Sequence, residues 1–139
     1  MKRFVLDASV ALSWFIDIPV HPYAERVRDE IRAGGRGIVP PLWELEFANG
    51  VLMAERRSII DAVVADESIV KMERLKLSGI ELSAALASTG DVLKVARKFH
   101  LTAYDAAYLE LAQREGLPLA TLDKSLKAAA GKAGVELLN

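Results

Sequence analysis

Cysteine is absent from the 139 residues. Disulfides, thiolate metal sites and a cysteine nucleophile are therefore excluded, and the absence fits a reducing compartment. A charge excess is also missing: 18 Lys and Arg stand against 19 Asp and Glu. No global positive field draws in a polyanion, so any nucleic acid must be met by a local basic surface. No apolar run approaches the roughly 18 to 20 residues that span a bilayer. The opening MKRFVLDASVALSWFIDIP has basic residues ahead of an apolar stretch, but Asp7 and Asp17 interrupt it and no small-residue cleavage site follows. A cytoplasmic protein without membrane contact is the expectation. Histidine is scarce: His21 lies in the loop DIPVHPY and His100 at the end of a helical pattern. Neither stands near the acids considered below, which argues against a metal-free mechanism using histidine as acid and base.

What is present reads as one globular domain over residues 1–139. With 52% apolar and 27% charged residues, the chain can bury a single core, and no repeat, low-complexity tract or long linker divides it. Strand-sized apolar runs occur at 3–7, 37–40, 79–83, 117–122 and 135–138. Helical patterns fill the intervals at 8–16, 22–33, 41–57, 59–76, 89–99, 103–115 and 124–132, with Gly34, Gly35, Gly116 and Gly131 near their ends as stops. Strands alternating with helices predict a parallel sheet covered on both faces. The stretch PLWELEFANGVLMAERR (41–57) opens on Pro41 and is apolar almost all round, which predicts a largely buried helix. Acids inside such a helix need partners.

Four acids stand out. Asp7 leaves the first strand and precedes the first helix, where an aspartate can serve simply as a helix cap. Asp123, in LPLATLDKSL, repeats that arrangement after the fourth strand. Asp105 forms a T-x-x-D capping box with Thr102, but Ser58 with Asp61 and Ser88 with Asp91 match the same box, so the spacing singles nothing out. Its apolar neighbours, Ala106, Ala107, Leu109, Leu111 and Ala112, set it apart. Glu46 has the weakest structural explanation, because it shares one helix face with Asn49 and a partner for the pair is expected. Glu44 points elsewhere, toward solvent or a basic neighbour.

In a doubly wound sheet the strand carboxyl ends and helix amino ends share one edge, and ligands bind there where the strand order reverses. Asp7 and Asp123 leave strands at that edge. Glu46 lies in the first turns of the helix after the second strand, and Asp105 in the first turn of the helix leading to the fourth. If the first and fourth strands are neighbours, Asp7 and Asp123 flank the switch point. Carboxylates brought that close cannot all stay ionised without a cation. Oxygen ligands without cysteine or a placed histidine favour Mg2+ or Mn2+ over zinc, and Ser9, Asn49 and Thr121 add neutral oxygens. Ser9 and Thr121 can equally satisfy local backbone groups. Such an ion lowers the pKa of a water and neutralises charge on a phosphodiester, so hydrolysis of a phosphate ester is the natural chemistry, with one metal or two.

Taken together, VLDASV, PPLWELEFANGV, LTAYDAAYLELA and LPLATLDKSL resemble the four acidic motifs of the PIN-domain nucleases, and most closely the VapC-type toxins of bacterial and archaeal toxin-antitoxin pairs. The resemblance runs from residue 3 to about 138, in the family's order and approximate spacing. It implies a three-layer α/β/α sandwich with a five-stranded parallel sheet ordered 3-2-1-4-5. It also implies a Mg2+- or Mn2+-dependent endoribonuclease, inhibited by a VapB-type antitoxin and commonly homodimeric. Asp7, Glu46, Asp105 and Asp123 match the acidic quartet of catalytic and metal-binding residues. Asn49 matches the polar residue after the second acid, and Ser9 and Thr121 match the small hydroxyl positions. No motif acid is substituted.

An RNA substrate needs cations for its backbone. The chain offers Arg26, Arg28, Arg32, Arg36, Arg56, Arg57, Lys71, Arg74, Lys76, Lys94, Arg97, Lys98, Lys124 and Lys127, each most simply read as part of a solvated helix face. Lys124, beside Asp123, is the first to test. Tyr104, beside Asp105, is a candidate stacking platform, whereas Trp14 and Trp43 sit in apolar helices and belong in the core. Other classes fit less well. A phosphoacceptor receiver needs an acidic pair after the first strand and an aspartate after the third; here Ala8 and Ser9 follow Asp7, and the third strand ends ELSAAL (81–86). Ser9 also disfavours a D-x-D phosphatase. The remaining alternative is a catalytically weak module that acts mainly through antitoxin or RNA binding. The segment 58–83 matches no motif.

Overall fold

Phe4, Val5 and Leu6 are all 0% exposed, and consecutive strand residues point to opposite faces, so both faces of this strand are covered. The computed structural model describes residues 2–84 and 87–139; Met1, Ala85 and Leu86 lie outside the described residues, and with them part of the ELSAAL stretch. The buried run belongs to β1 (Arg3–Leu6), which pairs in parallel with β2 (Arg36–Val39) on one side and β4 (Leu119–Ala120) on the other. Beyond β2 lies β3 (Ile80–Leu82), also parallel, giving the order β3-β2-β1-β4. The switch point therefore falls between β1 and β4, as the acidic pattern requires.

The five-stranded expectation is corrected to four strands among the described residues. Residues 135–138 contribute an isolated parallel bridge, Leu119 to Leu137, supported by Leu119 N–H to Glu136 O and Leu138 N–H to Leu119 O. The reason is local: β4 is two residues long, which leaves almost no ladder on which a fifth strand could extend.

Seven helices fill the intervals among the described residues: α1 (Ala8–Ile16), α2 (Pro22–Arg32), α3 (Leu42–Arg56), α4 (Ala62–Ser78), α5 (Thr89–Phe99), α6 (Ala103–Glu115) and α7 (Lys124–Ala133). They pack mainly in two groups, α1 to α4 and α5 to α7, and α6 also rests on β1. No described helix is long and apolar enough to cross a membrane. Gly131 falls inside α7; the stop is Gly134, in the left-handed region at φ 73°. The Ser58 box does not form, because Ser58 occupies a turn at φ 59° and Asp61 itself caps α4 by accepting the Val64 N–H at 2.8 Å.

The helix at 41–57 is less buried than its composition predicts. α3 buries Trp43, Phe47, Val51 and Ala54 against α1 and α4, but among the described residues its outer side is open, with Leu45 76% exposed. Its inner side approaches α1 closely: a Cβ at Gly50 would sit 2.5 Å from Leu12 Cδ1. About one turn earlier on these helices stand Ser9 and Glu46, both at the carboxyl edge of the sheet. Trp14 and Trp43 lie in the core, as expected.

Candidate active site

Asp7 occupies the N-cap position of α1 with an extended backbone, yet its side chain makes no capping hydrogen bond. It turns instead to two hydroxyls: Ser9 Oγ and Thr121 Oγ1 each donate to Asp7 Oδ2 at 2.6 Å. The same hydroxyls accept from the end of β4, Ser9 Oγ from the Leu122 N–H at 3.1 Å and Thr121 Oγ1 from the Asp123 N–H at 3.0 Å. Thr121 thus satisfies a local backbone group and Ser9 one 113 residues away, and both hold a buried carboxylate at once. Burial pushes the Asp7 carboxyl above the ordinary carboxylate value; the two hydroxyls oppose that shift, the Asp123 charge adds to it, and the Ser9 backbone N–H, too poorly placed to count as a capping hydrogen bond, opposes it weakly. Asp123 does act as a cap, accepting the Leu126 N–H at 2.8 Å to start α7.

Glu46 is half-buried on α3 and takes a 2.5 Å hydrogen bond at Oε1 from the phenol of Tyr108 on α6. Burial raises its pKa, the Tyr108 bond lowers it, and the charges of Asp7 and Asp105 raise it further. Asp105 starts α6, where Thr102 Oγ1 accepts its N–H at 3.1 Å. Its carboxyl is raised by burial and then by Asp123 and Asp7. Asp7, Glu46, Asp105 and Asp123 therefore sit within electrostatic reach at one sheet edge. Asn49 lies one turn after Glu46 and is exposed, with no hydrogen bond among the described residues. Glu44 faces away and pairs with Lys76.

Tyr108 is the residue that motif reading passes over. It is 0% exposed, and burial, then the Glu46 bond, push its phenol far above the ordinary tyrosine value, so it remains a proton donor. The available signal was its place three residues after Asp105, on the same helix face. Tyr104, by contrast, is 66% exposed. Lys124 is exposed in the first turn of α7, while Lys127 lies over the Tyr23 ring. A groove of about 520 Å3 opens between α3, α5 and α6, lined by Leu42, Leu93, Tyr104 and Ala107; none of the four acids lines it.

Among the described residues, no three His, Asp or Glu side chains form a ready-made metal cage. The donor set nonetheless fits a hard divalent cation in type and charge. It consists of carboxylate and hydroxyl oxygens, and Asp7, Glu46 and Asp105 each have a pKa raised in part by the charge of another acid of the quartet, a repulsion that a cation relieves.

The sequence model of the PIN domain matches residues 4–132. The chain belongs to the PIN domain family. PIN domains are generally nucleases that hydrolyse phosphodiester bonds, and they generally use divalent metal ions. No curated protein matches this PIN domain. Among solved structures it is similar to that of PAE2754 from Pyrobaculum aerophilum, with a TM-score of 0.71 and 22% identity over 92% of this chain and 84% of the other. At that identity the likeness is one of fold: a parallel α/β architecture.

Proposed function

We propose that this PIN domain is a Mg2+- or Mn2+-dependent endoribonuclease, the toxin of a type II toxin-antitoxin pair, with Asp7, Glu46, Asp105 and Asp123 as its acidic centre. The observation that carries this reading is Asp7. It is only 6% exposed, sits at the switch point, does not cap its helix, and feels the charge of Asp123. Two hydroxyls on Oδ2 offset part of the cost of burying this carboxylate, but neither supplies a positive charge, and an ionised buried carboxylate beside another acid is best compensated by a cation.

The residues that would hold the ion are Asp7, Glu46, Asp105 and Asp123, through carboxylate oxygens. Once bound there, a divalent ion would activate water and neutralise charge on the scissile phosphate. Ser9 and Thr121 keep Asp7 in one orientation by bonding a single oxygen, Oδ2. Asn49 offers an exposed amide beside Glu46 to water or to the sugar-phosphate chain. Lys124 meets a backbone phosphate, and Tyr104 presents an exposed ring on which an unpaired base can stack. What supports RNA as substrate, a VapB-type antitoxin as inhibitor and a homodimeric state is the resemblance of the four motifs to those of VapC-type toxins, in the same order over nearly the whole chain.

The test is sequencing of RNA ends after expression of the wild type beside Asp7→Asn, with purified protein assayed in Mn2+ and in EDTA. Cleavage by the wild type alone, leaving 5′-phosphate ends and stopping in EDTA, is expected. Full activity in EDTA, or 2′,3′-cyclic phosphate ends, would overturn the mechanism.

A further inference from the structure

The hydrogen bond from Tyr108 to Glu46 joins α6 to α3 across 62 residues of sequence. A buried tyrosine usually finds a partner for its hydroxyl, but packing its ring does not require that partner to be an acid. Here the partner is one acid of the cluster, and the tyrosine itself stands one helical turn beyond another, Asp105. A free glutamate spreads over many rotamers. A short bond to a ring with no solvent exposure selects one of them.

We propose that Tyr108 is a positioning residue of this PIN domain: its hydroxyl holds Glu46 Oε1, fixes the carboxylate relative to Asp7 and Asp105, and leaves Oε2 as the oxygen that meets a ligand. Among the described residues Glu46 accepts no other hydrogen bond. Tyr108 touches no substrate itself and acts through Glu46. The role rests on the nuclease reading given above, in which Glu46 belongs to the acidic centre.

Tyr108→Phe keeps the ring and removes the hydroxyl. The full chain is to be measured for melting temperature, for the carboxyl 13C resonance of Glu46 in metal-free protein, for its Mn2+ dissociation constant, and for kcat and KM on RNA. The expected variant melts close to the wild type and shifts the Glu46 resonance. It binds Mn2+ about 10- to 100-fold more weakly, the usual consequence of losing an outer-shell partner, and it loses kcat with KM unchanged. In a Glu46→Ala background the same change has no further effect on Mn2+ binding. Wild-type resonance, Mn2+ affinity and kcat in Tyr108→Phe would overturn the role, as would an Mn2+ effect that persists undiminished in Glu46→Ala. If Tyr108→Phe does not fold, 3-fluorotyrosine at position 108 alters the donor while keeping the ring; unchanged Mn2+ affinity and kcat then overturn the role. A wild type that neither binds Mn2+ nor cleaves RNA overturns the nuclease reading and this role with it. An active wild type beside an equally active Tyr108→Phe overturns this role alone.

Discussion

Thr121 Oγ1 lies 2.6 Å from Asp7 Oδ2, across the junction of β1 and β4, and its oxygen also accepts the Asp123 N–H. One buried hydroxyl thereby sets the first acid against the backbone of the fourth. Thr121→Val preserves the shape and removes both bonds, leaving a buried carboxylate and a backbone N–H each short of a partner. A loss of about 1–3 kcal/mol is expected on denaturant unfolding, with Thr121→Ser closer to the wild type. An unchanged midpoint for Thr121→Val would mean that the hydroxyl does not support Asp7.

The pH dependence of the metal-free protein should run against the usual acid lability. Asp7, Glu46 and Asp105 all have folded pKa values above their ordinary values of 3.8, 4.5 and 3.8, burial being the first cause in each. The folded state therefore binds these protons more tightly than the unfolded state. Ionisation works against folding, an effect absent below the ordinary values and complete above the raised ones. In EDTA the melting temperature of Asp7→Asn should gain on the wild type as pH rises from about 4 toward neutrality. A difference that does not change with pH would contradict the assigned shift at Asp7.

Metal should reverse that ranking. Anything that binds only the folded form stabilises it by mass action, so millimolar Mn2+ is expected to raise the wild-type melting temperature and to leave Asp7→Asn nearly unmoved. RNA cleavage by Asp7→Asn should fall by at least about 100-fold, beyond the loss usual for an outer-shell partner. Equal thermal shifts in the two proteins would place the ion elsewhere.

Asp123 has two jobs that substitutions can separate. As the cap of α7 it accepts the Leu126 N–H; Asp123→Ala should cost about 1 kcal/mol, whereas Asp123→Ser retains a capping oxygen and should unfold nearly like the wild type. Both remove the carboxylate, and both should lose RNA cleavage. Full activity in Asp123→Ser would reduce Asp123 to a cap.

Lys124→Ala should weaken RNA binding without regard to base sequence and lower the slope of log affinity against log salt by about 1. Measuring binding over a salt series in the Asp7→Asn background avoids cleavage. An unaltered slope would remove Lys124 from the phosphate contacts.

The sequence by itself determined where the acids stand along the chain and several of the residues that lie inside. Asp7 and Asp123 leave strands and Glu46 and Asp105 lie in the first turns of helices because apolar periodicity and cap chemistry are local and can be read within about ten residues. For the same reason Trp14 and Trp43 were legible as core, and Glu44 as a residue turned outward. Only the tertiary structure decided what each acid does with its oxygens. Asp123 caps its helix and Asp7 does not, because Thr121, 114 residues distant, brings a second hydroxyl beside Ser9. Glu46 found its partner in Tyr108, 62 residues away. α3 proved half open and the fifth strand failed to form, since covering a helix face or extending a sheet depends on what other elements bring alongside. Hydrogen-bond partners chosen across a fold obey distance in space, and periodicity along a chain carries no measure of that distance.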